Sequence, residues 1–349
     1  MLSLRNPPAR ICILRLSALG DCTHAVPVVR AIQARWPGTE ITWVIGRHGH
    51  ELLRRLDGVE FIVFDKQGGL ASFQRLREQL SERAFDVLLH MQIALRADIL
   101  SRFISAPVRL GWSRERSPSR HQWFIDHAVD HVPMQHQVPA FLRFAAALGL
   151  DAEKPDWRLQ VAEEDRAWAS RMLPEGDPIL MISPCSRHSN RNWSFERLAR
   201  VADHAASSLG MRVALIGGPS DVEKQAGERI RAAMRENATN LIGKDTASRS
   251  MALLEQATVL ISPDSGPAHI ASALGTPVVG LYAATWSRRS GPYGSLESCV
   301  DRFPEAARKF RGREPEQLRW GTRIKTPQVM DLVTVDDVIG KLEQCLLPR

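Results

Sequence analysis

Short apolar runs alternate with longer amphipathic stretches along the whole chain. In the first half, runs rich in Ile, Val and Leu occupy 11–16 (ICILRL), 41–46, 61–64, 86–91 and 108–112. Apolar positions at helical spacing mark helices near 21–36, 70–83, 95–104 and 138–149. In the second half the runs fall at 179–183, 212–217, 239–243, 258–262 and 277–282, with helices expected near 194–209, 219–235, 248–256 and 266–274. Runs without apolar–polar alternation predict strands buried on both faces, and strand–helix alternation predicts parallel sheets with right-handed crossovers. Two such series predict an α/β chain with two Rossmann-like domains, over 1–160 and 175–330. The polar stretch 151–177, with its two prolines, interrupts the rhythm and reads as a linker. Residues 331–349 read as a C-terminal helix with the option of crossing back to the first domain.

Open α/β sheets bind ligands beyond the carboxyl ends of their strands. Two facing sheets would bring both sets of strand-end loops into one cleft, so the loops between a strand and the next helix are where chemistry is expected. The first is SALGDCTHAV after 11–16. Gly20 permits a tight turn, and Pro27 either delays or kinks the helix that follows. Asp21 is either an N-cap of that helix or a carboxylate at a strand end, able to accept a proton from an incoming hydroxyl. The loop lacks GxGxxG, which argues against a dinucleotide enzyme.

The loop after 179–183 offers Ser183, Ser186, Arg187, His188, Asn190 and Arg191, hydroxyls and cations suited to a phosphate, or else a solvated polar loop. Ser194 reads as an N-cap and Trp193 as a packing residue. The stretch TVLISPDSGPAHIASALGTPVVGLY reads as strand, loop, helix, glycine stop and strand, with Asp264 or Ser265 as cap and Gly275 ending the helix. The N–H groups of Ser265, Gly266 and Ala268 would form an anion site at the positive helix end. His269, one turn in, either donates to a phosphate oxygen or packs as an ordinary histidine. Asp264 suits capping or a sugar hydroxyl better than a phosphate. Thr285, Ser287, Arg288 and Arg289 follow at the next strand end.

Composition narrows the picture. With 349 residues, 44% hydrophobic and 24% charged, the chain is expected to be globular with about two domains. Its formal charge of +7 is compatible with nucleic acid, an anionic membrane surface, a phosphorylated substrate or an inert basic face. The basic residues lack interleaved aromatic platforms and Tyr occurs only twice, which argues against nucleic acid. Five scattered cysteines without a CxxC pair argue against a zinc site or disulfide framework and suit a reducing cytoplasm. No apolar run reaches the roughly 18–20 residues of a membrane span, and the first residues read as a tail rather than a signal peptide.

Three segments together resemble a known family. RLSALGDCTHAVPVVRAIQARWPGTEITWVIG, SPCSRHSNRNWSFERLARV and SPDSGPAHIASALGTPVVGLYAATW, in this order, are similar to segments of the ADP-heptose:lipopolysaccharide heptosyltransferases, glycosyltransferase family 9. The resemblance implies a GT-B fold, two Rossmann-like domains facing across a cleft, and inverting transfer of heptose from ADP-heptose to an inner-core lipopolysaccharide sugar. It puts the general base on Asp21 and the cationic donor-phosphate contact on Arg191, where the best-known members have lysine. It puts the DxGxxH segment on Asp264, Gly266 and His269. Ser186, Ser265 and Thr285 complete the expected donor site. No metal is implied, and no DxD spacing offers one.

The acceptor, an anionic lipopolysaccharide core, is expected on the first domain, where Arg96, Arg114, Arg116 and Arg120 stand within a basic stretch alongside Arg102 and Arg109. Peripheral contact with the inner membrane, on its cytoplasmic face, is another use of this charge. The segment 301–330 is longer and more basic than the family pattern and puts the exact acceptor in doubt. The alternatives are a GT-B enzyme using another nucleotide sugar, such as UDP-GlcNAc, and a nucleotide-sugar binding protein without catalysis.

Overall fold

Ile11, Cys12, Ile13 and Leu14 are fully buried, as are Val87, Leu88 and Leu89. A strand with no exposed face must be covered on both sides, and helices before and after it do this. The computed structural model describes residues 6–347. The chain divides into two units, Met1–Gln160 and Val161–Arg349.

The first unit runs β1 (Arg10–Leu14), α1 (Leu19–Arg35), β2 (Glu40–Gly46), α2 (Arg47–Leu53), β3 (Val59–Phe64), α3 (Gly69–Leu80), β4 (Val87–His90), α4 (Leu95–Ser101), β5 (Val108–Gly111), a 3₁₀ turn at Ser119–Phe124, β6 (His127–Ala128) and α5 (Gln137–Ala147). The strands form one parallel sheet in the order β3-β2-β1-β4-β5-β6. The order reverses beside β1, which makes the β1–α1 loop the switch point where such sheets bind ligands.

The second unit runs α6 (Glu163–Met172), β7 (Ile179–Ile182), a 3₁₀ turn at Ser189–Arg191, α7 (Phe195–Leu209), β8 (Arg212–Leu215), α8 (Asp221–Ala233), β9 (Ala238–Asn240), α9 (Ala247–Gln256), β10 (Val259–Pro263), α10 (Gly266–Leu274), β11 (Val278–Tyr282), α11 (Ser287–Ser290), β12 (Val300–Asp301), α12 (Phe303–Arg311) and α13 (Val335–Leu346). Its parallel sheet has the order β12-β11-β10-β7-β8-β9. The β7 and β10 loops flank its switch point.

Ten strands lie where the apolar runs predict them, within one to three residues at the ends. The helix expected from residue 21 begins at Leu19 and continues through Pro27. Proline removes the N–H that would bond the Thr23 carbonyl, and the indole N–H of Trp157 donates to that carbonyl instead at 3.1 Å. The stretch read as a linker holds α6, whose first turn carries Glu163, Glu164 and Asp165 and whose last carries Arg171, the charge order a helix dipole favours. α6 packs beside α9: Arg166 makes a bidentate pair with Glu255, and the Arg249 guanidinium lies over Trp168. The strands β6 and β12, two residues each, and the short helix α2 are too brief to leave a periodic signal.

The basic segment 301–330 holds α12 and is folded into the second unit, where Trp286 stacks on Phe303 and Ile324 is fully buried. The C-terminal helix, with Val335, Val338 and Leu342 in the same apolar cluster as Leu198 and Ala202, packs on α7. Gly275 closes α10 at φ +87, as expected of a left-handed helix end. Gly275→Ala has room for its methyl group but not the backbone angle. It should lower unfolding free energy by about 1 kcal/mol in denaturant titration, with no change in fold by circular dichroism.

Candidate functional site

The two switch-point regions each hold an aspartate paired with an arginine. In the first, Asp21 is the third residue of α1 and accepts from the Ala18 backbone N–H at 3.3 Å. It is therefore not the N-cap; Ala18 occupies that position. Asp21 is ion-paired with the guanidinium of Arg15, a buried residue at the end of the β1 run. Arg15 is itself fixed: Nη1 donates to the Met91 carbonyl at 2.6 Å, and the guanidinium lies 5.2 Å from the Phe141 ring centre. His24 sits below, its Nδ1 3.9 Å from Asp21 Oδ1 and its ring edge-on to Phe141. A third of the Asp21 side chain stays open to solvent. The carboxylate is thus held in one orientation by buried partners while one side remains reachable.

The loop leading to Asp21 is clamped. Gln92 Oε1 accepts from the N–H groups of Leu16 and Ser17, and Gly46 brings its backbone against the Leu16 carbonyl so closely that a Cβ would sit 2.4 Å from that oxygen. Arg15 and His24 were not among the expected site residues. A charged residue inside the apolar run ICILRL was the available signal for Arg15.

In the second unit, Asp264 follows β10 and is buried. Arg191, from the β7–α7 loop, donates Nη1 to Asp264 Oδ2 at 3.0 Å and to the Asp264 carbonyl at 3.1 Å. His269 Nε2 lies 3.7 Å from Oδ1, Ser290 Oγ lies 3.5 Å from Oδ2, and Thr285 also hydrogen-bonds the carboxylate. Burial pushes the Asp264 pKa up, but hydrogen bonds from His269 and Thr285 and the Arg191 charge prevail and hold it below the usual range. Asp264 does not cap α10: Ser265 is the N-cap, and its hydroxyl shares a 2.7 Å hydrogen bond with Ser262. Both Asp264 oxygens thus face partners within the unit, Oδ2 Arg191 and Ser290 and Oδ1 His269. Arg191 is 12% exposed, and its buried Nε has no hydrogen-bond partner.

The β7–α7 loop is braced internally. The Ser186 N–H donates to Asn192 Oδ1 at 2.8 Å and its hydroxyl to the His188 carbonyl. The basic segment adds to it: Asn190 donates to the Ile324 carbonyl, and Arg323 meets His188 at 3.2 Å. Burial, with Arg191, Arg323, Arg187 and Lys325 around it, lowers the His188 pKa, so cations crowd this loop. Arg323 and Lys325 were not expected here. Trp193 packs as expected, buried with its indole N–H on the Val333 carbonyl, and Ser194 caps α7.

Among the arginines expected at the acceptor, Arg96 and Arg114 are exposed. Arg116 is half-buried, donates to the Gln135 carbonyl and lies over Trp112. Arg120 lies 3.7 Å from Asp98. Arg109 is structural, donating to three carbonyls, those of Phe124, Ile104 and Ser101.

His90, Asp98 and His121, all buried, are the metal-ligand cluster found among the described residues. Hydrogen bonds tie His121 into this cluster. The Trp112 backbone N–H donates to His121 Nε2, which leaves the proton on Nδ1, and Nδ1 donates to Asp98 Oδ1 at 2.8 Å. Burial pushes the His90 pKa down to about 4.

A family model described as glycosyltransferase family 9 (heptosyltransferase) matches residues 73–318. The chain belongs to this family. It is 35% identical, over 97% of both chains, to the lipopolysaccharide core heptosyltransferase OpsX of Haemophilus influenzae. Among solved structures it resembles a family 9 glycosyl transferase from Veillonella parvula, with a TM-score of 0.78 at 22% identity over 97% of both chains. It also resembles the E. coli heptosyltransferase WaaC with ADP, with a TM-score of 0.71 at 18% identity over 96% and 99% of the two chains. The fold of this family 9 glycosyltransferase is GT-B, as the resemblance implied.

The buried histidine gives a pH test. His90 is neutral in the folded chain down to about pH 4, whereas an unfolded histidine takes up a proton near 6.5. Between these values the unfolded state binds more protons, so stability is fully present above about pH 6.5 and falls as the pH drops towards 4. Denaturant titrations at pH 7 and 4.5 should differ by up to about 3 kcal/mol from this group, and His90→Gln should reduce the difference. An equal pH response in the variant would exclude His90 as its source.

Proposed function

We propose that this family 9 glycosyltransferase moves a heptose from ADP-heptose to an inner-core lipopolysaccharide acceptor, with inversion at the anomeric carbon. The observation that carries the donor half is the Arg191 Nε, buried without a partner in a side chain whose Nη1 is held by Asp264, two residues before α10 begins. A buried donor without an acceptor is costly, and an anion at the helix N-terminus would relieve it.

In this reading the Ser265 and Gly266 N–H groups, the α10 dipole, Arg191 and His269 receive the diphosphate. Ser186 and Thr285 support it from the flanking loops. Asp21, oriented by Arg15, takes the proton from the acceptor hydroxyl as its oxygen attacks the anomeric carbon and the bond to the ADP oxygen breaks. Negative charge grows on the departing ADP, and cationic groups already in place stabilise it most when it is greatest. That role makes a divalent cation unnecessary. Arg96, Arg114, Arg116 and Arg120 receive the anionic groups of the acceptor. The acceptor is a lipid-anchored sugar, so the enzyme works at the cytoplasmic face of the inner membrane.

Asp21→Ala should lower transfer by at least about 10²-fold while ADP binding, read by calorimetry, stays intact; turnover retained in this variant would remove Asp21 from the chemistry. Arg191→Ala should weaken both ADP affinity and turnover. ADP should compete with the donor well below the concentration at which UDP does. The reverse order would assign a different nucleotide sugar.

A further inference from the structure

A surface on the first unit combines exposed apolar side chains with arginines. Leu95 and Ile99 on α4 are 53% and 43% exposed, and Ile93 just before the helix is 36% exposed. Trp123, in the 3₁₀ turn beside α4, is 74% exposed. Leu95, Ile99 and Arg102 fall at i, i+4 and i+7, so they line one stripe of the helix and its continuation. Arg102 joins the stripe to the turn, donating to the Trp123 carbonyl at 2.7 Å with its guanidinium over Phe124. Arg96 is exposed on the same helix, and Arg120 stands beside it. The one acid of α4, Asp98, is 1% exposed and turned inward to His90 and His121, so the helix presents no acid to solvent.

Exposed large apolar groups in a basic field need a partner that offers both a hydrocarbon region and negative charge. We propose that this surface seats the enzyme on an anionic lipid bilayer. Trp123, Leu95 and Ile99 enter the headgroup boundary, while Arg102 meets lipid phosphates. Tryptophan suits that depth because its ring is apolar and its N–H is polar. A twofold dimer through the same patch would set arginines against arginines, which disfavours a second copy as occupant. Trp123 is a single stacking face beside aliphatic Leu95 and Ile99, where nucleic acid is favoured by a row of aromatic platforms. Among the described residues no helix is long and apolar enough to cross a membrane, so the contact is peripheral. The inference deepens the proposed function by naming the residues that hold the enzyme where its lipid-anchored acceptor lies.

The test is co-sedimentation with vesicles of phosphatidylethanolamine and phosphatidylglycerol, and with pure phosphatidylcholine, without donor or acceptor. Wild-type protein should bind the anionic vesicles, bind the neutral ones much less, and lose binding as salt rises. The triple variant L95S/I99S/W123S should partition at least about tenfold more weakly. Its transfer to a water-soluble, deacylated acceptor should equal that of wild type. W123S alone, an exposed change, should show a smaller loss in the same direction if the triple variant folds poorly. No binding by wild type, or equal binding by wild type and W123S, would overturn the assignment, as would a dimer that the variants dissociate without any vesicle binding. Any of these with heptose transfer intact leaves the proposed reaction standing; loss of transfer from ADP-heptose in wild type removes the reaction itself.

Discussion

A buried aspartate paired with a guanidinium organises the loops at the switch point of the second sheet. Asp264 is nearly out of water, where an unpaired carboxylate would cost several kcal/mol. Its partners come from separate stretches: Arg191 from the loop after β7, His269 from the first turn of α10, Thr285 and Ser290 from beyond β11. Breaking the pair would strand a charge, so the loops are bound to each other by a strong mutual need. The switch point of the first sheet repeats the device on a smaller scale, with Arg15 buried and Asp21 partly open. In the second unit the arginine and the acid are both nearly buried; in the first the arginine is hidden and the acid stays a third open.

This difference in exposure fits the chemistry proposed for the two loops. A group that accepts a proton must be reachable by the acceptor hydroxyl, and Asp21 keeps a third of its side chain in solvent. A group that stabilises a diphosphate gains from being fixed and shielded, because charge interactions weaken in water. Arg191, held by both the side chain and the carbonyl of Asp264, meets that description. The His90–Asp98–His121 cluster uses the same economy for structure, tying β4, α4 and the 3₁₀ turn together beneath the exposed stripe of α4.

Much of this was legible in the chain of residues. Most of the longer strands announced themselves because the central ones are buried on both faces and apolar at nearly every position, whereas the edge strands β3 and β9 leave Glu60, Val63 and Thr239 exposed. Gly275 and Ser194 marked helix ends because a left-handed turn and a free N–H each admit few residue types. The loops with Asp21, Arg191 and the DSGPAH segment could be singled out because strand ends are where parallel sheets expose backbone donors. The helix α6 hid inside a polar stretch because a solvated helix packed by Trp168 and Ala169 needs few apolar residues. Arg323 and Lys325 could not be placed at the β7–α7 loop, since more than 130 residues separate Arg323 from His188 and Asn190 from Ile324.

The sequence by itself determined the two α/β series, the loops in which polar groups gather and the family to which the chain belongs. These follow from local rules: apolar periodicity, capping and short motifs act over a few residues. Only the tertiary structure decided what each polar side chain faces. It turned Asp264 from a candidate cap into the buried anchor of Arg191, took Arg109 out of the surface and into loop carbonyls, and set Arg15 behind Asp21. The reason is that a charge buried in a core must be satisfied by whatever the fold brings within about 3–4 Å, and which groups those are depends on strand order rather than on position along the chain.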